Sequence, residues 1–244
     1  MTDIDINRRR LLGLLGGTGM AAYLGLRYAT GDSVRYTYAS SQDCEGYTLD
    51  AEWRETYTRN GDTTLLENTT SSDGTAPGGS SIIQLSNVLP GDRGSVSFTL
   101  TAEADDGASE TVNPTLGFDL LGTAENGLND PERKAGDTTE GTGELQDYLS
   151  VTIWKNTGIL GVDALGADDL TQQITEPTIA EGTFAEVASD LNGAELGNID
   201  TSAGSDESVS VTLRWEFVDD ASINVIQTDS VTFALDIGCG VTSE

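Results

Sequence analysis

The chain has 244 residues, with 12 Lys and Arg against 41 Asp and Glu, a formal net charge of −29 and no histidine. So acidic a surface repels nucleic-acid phosphates and anionic lipid headgroups, which argues against both as partners. Without an imidazole there is no Ser-His-Asp or Cys-His catalysis and no histidine-ligated zinc hydrolysis. Strong negative charge keeps a folded chain hydrated where concentrated salt screens its self-repulsion, so a multi-molar salt environment is expected.

The N-terminus reads as an address. Arg8 and Arg9, then one residue, then Leu11 and Leu12 open an apolar, Gly-rich stretch through Leu26. Basic residues before a short apolar run describe an export signal, and the arginine pair is of the twin-arginine type. The alternative is a retained anchor, but a stretch of about 16 residues with several glycines is short for a membrane span. Thr37-Tyr38-Ala39 is the best cleavage site. It divides the chain into an export signal, 1–39, and one domain, 40–244, which has no membrane contact after cleavage.

Strand patterns follow in order. Tyr47, Leu49, Ala51 and Trp53 alternate with polar residues, the period of a half-buried strand. A polar loop is expected over 58–80, carrying the glycosylation sequon Asn68-Thr69-Thr70. Ile82–Leu89 is apolar enough for a strand. Pro90-Gly91-Asp92 then reads as a turn into a second alternating segment, with Val96, Phe98 and Leu100 on one face and Ser95, Ser97 and Thr99 on the other. Leu116, Phe118 and Leu120 continue the pattern.

An insertion, 122–147, is rich in glycine and acid. Glu125, Asn129, Asp130, Glu132 and Asp137 offer hard oxygen ligands on flexible backbone, a weak candidate set for Ca2+; the alternative is a solvated acidic loop. No other cofactor is expected. Glu144–Tyr148 reads as a helical turn. Leu149, Val151 and Ile153 form the next strand. Trp154 is out of phase with them and so falls on the outer face, marking an interface or a bulge. A second insertion, 157–200, holds a helix over Ile179–Leu191, with Ile179, Phe184, Val187 and Leu191 as its stripe. Val209–Phe217 and Val231–Ile237 close the pattern. Seven or more such strands make an all-β protein, an antiparallel β-sandwich or jelly roll with short helical insertions.

Two cysteines, Cys44 and Cys239, lie at opposite ends of the domain. In an oxidising compartment they are expected to form one bridge, with two separate thiols as the alternative. The Gly-rich runs Gly13–Gly19 and Gly74–Gly79 lack the βαβ context of a nucleotide site. Among so many carboxylates no pair stands out as a glycosidase acid and base.

Four segments taken together resemble the secreted TasA/camelysin-like family, in particular its archaeal, salt-adapted relatives. They are Gly46–Tyr57; Leu85–Leu100 with its Pro-Gly-Asp corner; Glu125-Asn126-Gly127 with Pro131-Glu132 and Gly143-Glu144-Leu145; and Ile226–Phe233. The segment Thr157–Asp200 has no counterpart there. The resemblance implies a jelly-roll subunit of extracellular fibres, in which one subunit's N-terminal segment completes a neighbour's sheet. The metalloprotease activity described for camelysin relatives does not carry over to a chain without histidine.

The resulting expectation is an exported, non-enzymatic structural protein of the cell surface or matrix, partnered by copies of itself or by other surface proteins. Ser40, Ser41, Gln42 and Asp43 would form its donor strand. The alternative is a monomeric secreted adhesin, or a carbohydrate- or ligand-binding β-sandwich stabilised by calcium.

Overall fold

A computed structural model describes residues 34–37, 41–59, 62–69, 80–86, 88–105, 110–125, 127–128, 130–136, 141–156, 176–202, 207–217, 226 and 229–240. The strands run β1 (Val34–Thr37), β2 (Ser41–Asp43), β3 (Tyr47–Arg59), β4 (Asp62–Thr69), β5 (Ser80–Ser86), β6 (Arg93–Ala104), β7 (Thr111–Val112) and β8 (Thr115–Ala124). Helix α1 (Asp130–Ala135) and a 3-10 turn (Leu145–Asp147) precede β9 (Leu149–Asn156) and β10 (Thr178–Thr183). Then come α2 (Phe184–Asp190), β11 (Ala194–Glu195), β12 (Ile199–Asp200), β13 (Val209–Phe217) and β14 (Ser230–Gly238).

One sheet has the order β1-β5-β14-β8-β11, and the other β10-β9-β13-β6-β3-β2, with β4 also on β3. A small ribbon joins β12 to β7. Every pairing between strands is antiparallel. The inward residues are those the alternation marks: Leu49, Trp53, Val96, Phe98, Leu100, Val151, Ile153, Leu213 and Trp215 from one sheet, and Ile83, Leu85, Leu116, Phe118, Phe233 and Leu235 from the other. They form a single buried cluster. The all-β reading therefore stands, as two antiparallel sheets closed on one core.

The outer face of the second sheet is not simply wet. Ser95 and Ser97 point away from the core yet are buried. Ser95 shares a 2.7 Å hydrogen bond with Thr56, and Ser97 a 2.8 Å bond with Thr212, which Asn156 Nδ2 also reaches at 3.0 Å. A row of small hydroxyls thus satisfies itself across β3, β6, β13 and β9. On the inner face Trp215 lies flat over Gly94, where a Cβ would come within 2.7 Å of the indole Nε1.

The Pro90-Gly91-Asp92 corner is a structural clamp. Gly91 adopts φ +86°, a region that favours glycine. Its N–H donates to Phe217 O at 2.7 Å, and Phe217 N–H donates back to Asp92 O at 2.8 Å. The Asp92 carboxylate accepts from Leu89 N–H (2.8 Å), Tyr57 O–H (2.6 Å) and the Arg59 guanidinium (2.6 Å). The corner thereby ties the ends of β3 and β13 to the start of β6. Asp92→Ala is expected to cost about 2–3 kcal/mol, because three donors lose their acceptor while half-exposed Arg59 recovers water. Urea unfolding in concentrated salt measures this, and Asp92→Asn should lose less.

Three expectations are corrected. Residues 58–80 are not one polar loop, because β4 pairs along β3 from Arg59↔Asp62 to Trp53↔Thr69. Asn68 therefore sits on strand β4. The helix expected over Ile179–Leu191 starts only at Phe184; Thr178–Thr183 is strand β10 on the edge of β9. The Thr183 side chain accepts from Glu186 N–H while the Glu186 side chain accepts from Thr183 N–H, a capping box that fixes the start. Trp154 lies outside the main core cluster, as its phase requires, but is covered there, only 1% accessible, opposite a register shift in β10. Leu120 is 37% exposed, where the β8–β14 register shifts between Thr232 and Phe233 and the alternation along β8 breaks.

Candidate functional site

The N-terminal segment touches both sheets. β1 adds to the edge of β5, from Val34↔Leu85 to Thr37↔Ile82, and β2 adds to the edge of β3, from Ser41↔Asp50 to Asp43↔Thr48. Ser41, Gln42 and Asp43 therefore pair with their own chain; Ser40 lies outside the described residues. β1 falls inside the segment 1–39 expected to be removed on export. A cut after Ala39 takes away a four-residue ladder and leaves β5, which carries the fully buried Ile83 and Leu85, as the sheet's outermost strand.

Immediately after β2 the chain is stapled. Cys44 is disulfide-bonded to Cys239, across 195 residues of sequence. The bond lies within one chain, where the sequence alone leaves pairing between neighbours open. Next to it Cys44 N–H donates to Tyr47 O at 2.8 Å, and the Tyr47 hydroxyl donates to Gly240 O at 3.0 Å. The two ends of the folded domain thus meet at one point.

A second constellation lies where β8 ends and β14 begins. Glu125 follows β8, Asp229 precedes β14, and Glu132 comes from α1; their carboxylate oxygens lie within 4.8 Å of one another. Glu132 and Asp229 are fully buried. Asp229 Oδ2 accepts from Glu144 N–H at 2.6 Å. Burial first, then the neighbouring Glu125 and Glu144 carboxylates, push the Asp229 pKa up to about 8, against the lowering effect of the Glu144 N–H. An acid raised in this way holds a proton in the folded chain that the unfolded chain releases, so this group favours folding less as pH climbs from about 4 towards 8.

Comparison with protein-family models, curated proteins and solved structures finds no match to this chain.

Of the acidic residues the sequence marks, the structure brings Glu125 and Glu132 together. Asp130 is exposed and pairs with Arg133 at 3.0 Å, while Asn129 and Asp137 lie outside the described residues. Asp229 escapes sequence reading because strand register, not spacing, carries it there. Arg8, Arg9, Leu11 and Leu12 also lie outside the described residues. Among the described residues no helix is long and apolar enough to cross a membrane. The exposed large apolar side chains among them are Leu89, Leu120 and Tyr148, and all three tryptophans are buried. No tryptophan is therefore available as a sugar-stacking platform.

Proposed function

We propose that this chain is an exported, non-enzymatic structural protein of the cell surface or extracellular matrix, assembling by exchange of its N-terminal strand. The observation that supports the reading is the pair of short edge strands, β1 and β2, upstream of a disulfide that locks the rest of the domain. Removal of 1–39 strips β1 from β5. The backbone groups of Ile82–Leu85 that face away from β14 then lose their partner, and an open edge is a template for a strand from another chain. Residues Ser40–Asp43 match in length the four-residue ladder that β1 vacates. Hinged at Cys44, they leave their own β3 and pair with the next subunit's β5, so each copy is donor and acceptor. The disulfide fits an oxidising, extracellular setting, and the resemblance to TasA/camelysin-like fibre subunits points the same way.

Pairing of Ser41–Asp43 with the chain's own β3 favours a second reading, a self-completed monomeric surface module. Deletion of residues 40–43 from the mature chain separates the two. Exchange predicts that the truncated protein keeps its circular dichroism and thermal transition but no longer assembles. Assembly of the truncated protein at the normal rate contradicts strand donation from this segment.

A further inference from the structure

The carboxylate group at the end of the β8–β14 ladder calls for a counter-charge. Ser230 pairs with Ala124, so the next residues off the ladder, Asp229 and Glu125, stand opposite each other. Like charges in that position repel. Glu132 adds a third carboxylate from α1, itself fully buried. Asp229, also fully buried, satisfies one oxygen on Glu144 N–H, but among the described residues its Oδ1 has no hydrogen-bond donor. A buried carboxylate oxygen without a donor or cation is costly.

The three carboxylates are close enough to share one ion. Calcium takes oxygen ligands at about 2.4 Å, so two oxygens on one ion lie no more than about 4.8 Å apart. The three carboxylates meet that limit. Thiolate- and imidazole-seeking metals have nothing to bind, since the chain has no histidine and both cysteines are oxidised. The loop over the site is built for closeness. A Cβ on Gly143 would fall 2.9 Å from the Asp229 carboxyl carbon and 2.7 Å from Ala124 O.

We propose that Glu125, Glu132 and Asp229 bind a hard divalent cation of the calcium class, which joins the end of β8, helix α1 and the start of β14. The ion neutralises the three clustered carboxylates and supplies a partner for Asp229 Oδ1. Loop backbone and water complete its coordination. The site is independent of the N-terminal strand and functions in a monomer as in a polymer.

The test is thermal unfolding of the full mature chain, freed of divalent ions and held in concentrated KCl, with CaCl2 or MgCl2 added. A midpoint that rises with CaCl2 and saturates, and rises less with MgCl2, is expected. Glu125→Gln, at the more exposed ligand and so least harmful to folding, should weaken the apparent affinity about tenfold or more; Asp229→Asn should abolish the response. Three results overturn the proposal: no response to CaCl2, an equal response in both variants, or a midpoint that follows pH alone, which would mean that the carboxyl groups share a proton.

Discussion

Opening the Cys44–Cys239 bond, by reduction or by the double substitution Cys44→Ala and Cys239→Ala, is expected to lower the unfolding free energy by about 5 kcal/mol. The bond spans 195 residues, nearly the whole domain, and loop-closure entropy in the unfolded chain grows with the logarithm of that length. The bridge also sits where the two ends of the sandwich meet, beside the Tyr47–Gly240 hydrogen bond. Its loss therefore frees β2 and the end of β14 together. Urea unfolding of oxidised and reduced protein at one high salt concentration gives the difference directly. Equal midpoints would show that the staple does not restrain the unfolded chain.

Phe233→Ala ranks next, at about 3–5 kcal/mol. Phe233 is fully buried in the middle of β14. It stacks on Phe118 of β8 with ring centroids 4.9 Å apart, and meets Phe184 of α2 edge-on at 4.6 Å. One ring therefore joins the sheet to the helix that covers it, and truncation loses its burial, two aromatic contacts and the volume they enclose. Phe233→Leu keeps most of that volume and should cost less than half as much. The same unfolding measurement ranks the two; equal losses would mean that the cavity contributes little.

What was legible in the sequence is the part written in local period. Val96-x-Phe98-x-Leu100 and Val211-x-Leu213-x-Trp215 place their apolar residues on the core face because side-chain direction alternates along a strand. The cysteines likewise announce a staple by type and position. Other features depend on partners far along the chain. Asp229 reaches Glu125 only through the Ser230↔Ala124 register, which no spacing rule encodes. Thr178–Thr183 shares apolar positions with the helix after it, and the edge of β9 draws it into a strand. Trp154 is on the outer face, as its phase demands, yet it is covered, because alternation specifies a direction and not what lies over it. β1 is hidden in a segment that composition marks for export.

In the chain from Ser40 onward the N-terminal strand pairs either with its own β3 or, by the proposed exchange, with a neighbour's β5. Negative-stain microscopy of that chain in concentrated salt, paired with non-reducing electrophoresis, separates the two. Strand exchange with the disulfide inside each subunit predicts filaments on the grid and a single monomer band on the denaturing gel. Separate particles of monomer size on the grid, even at high protein concentration, would contradict it.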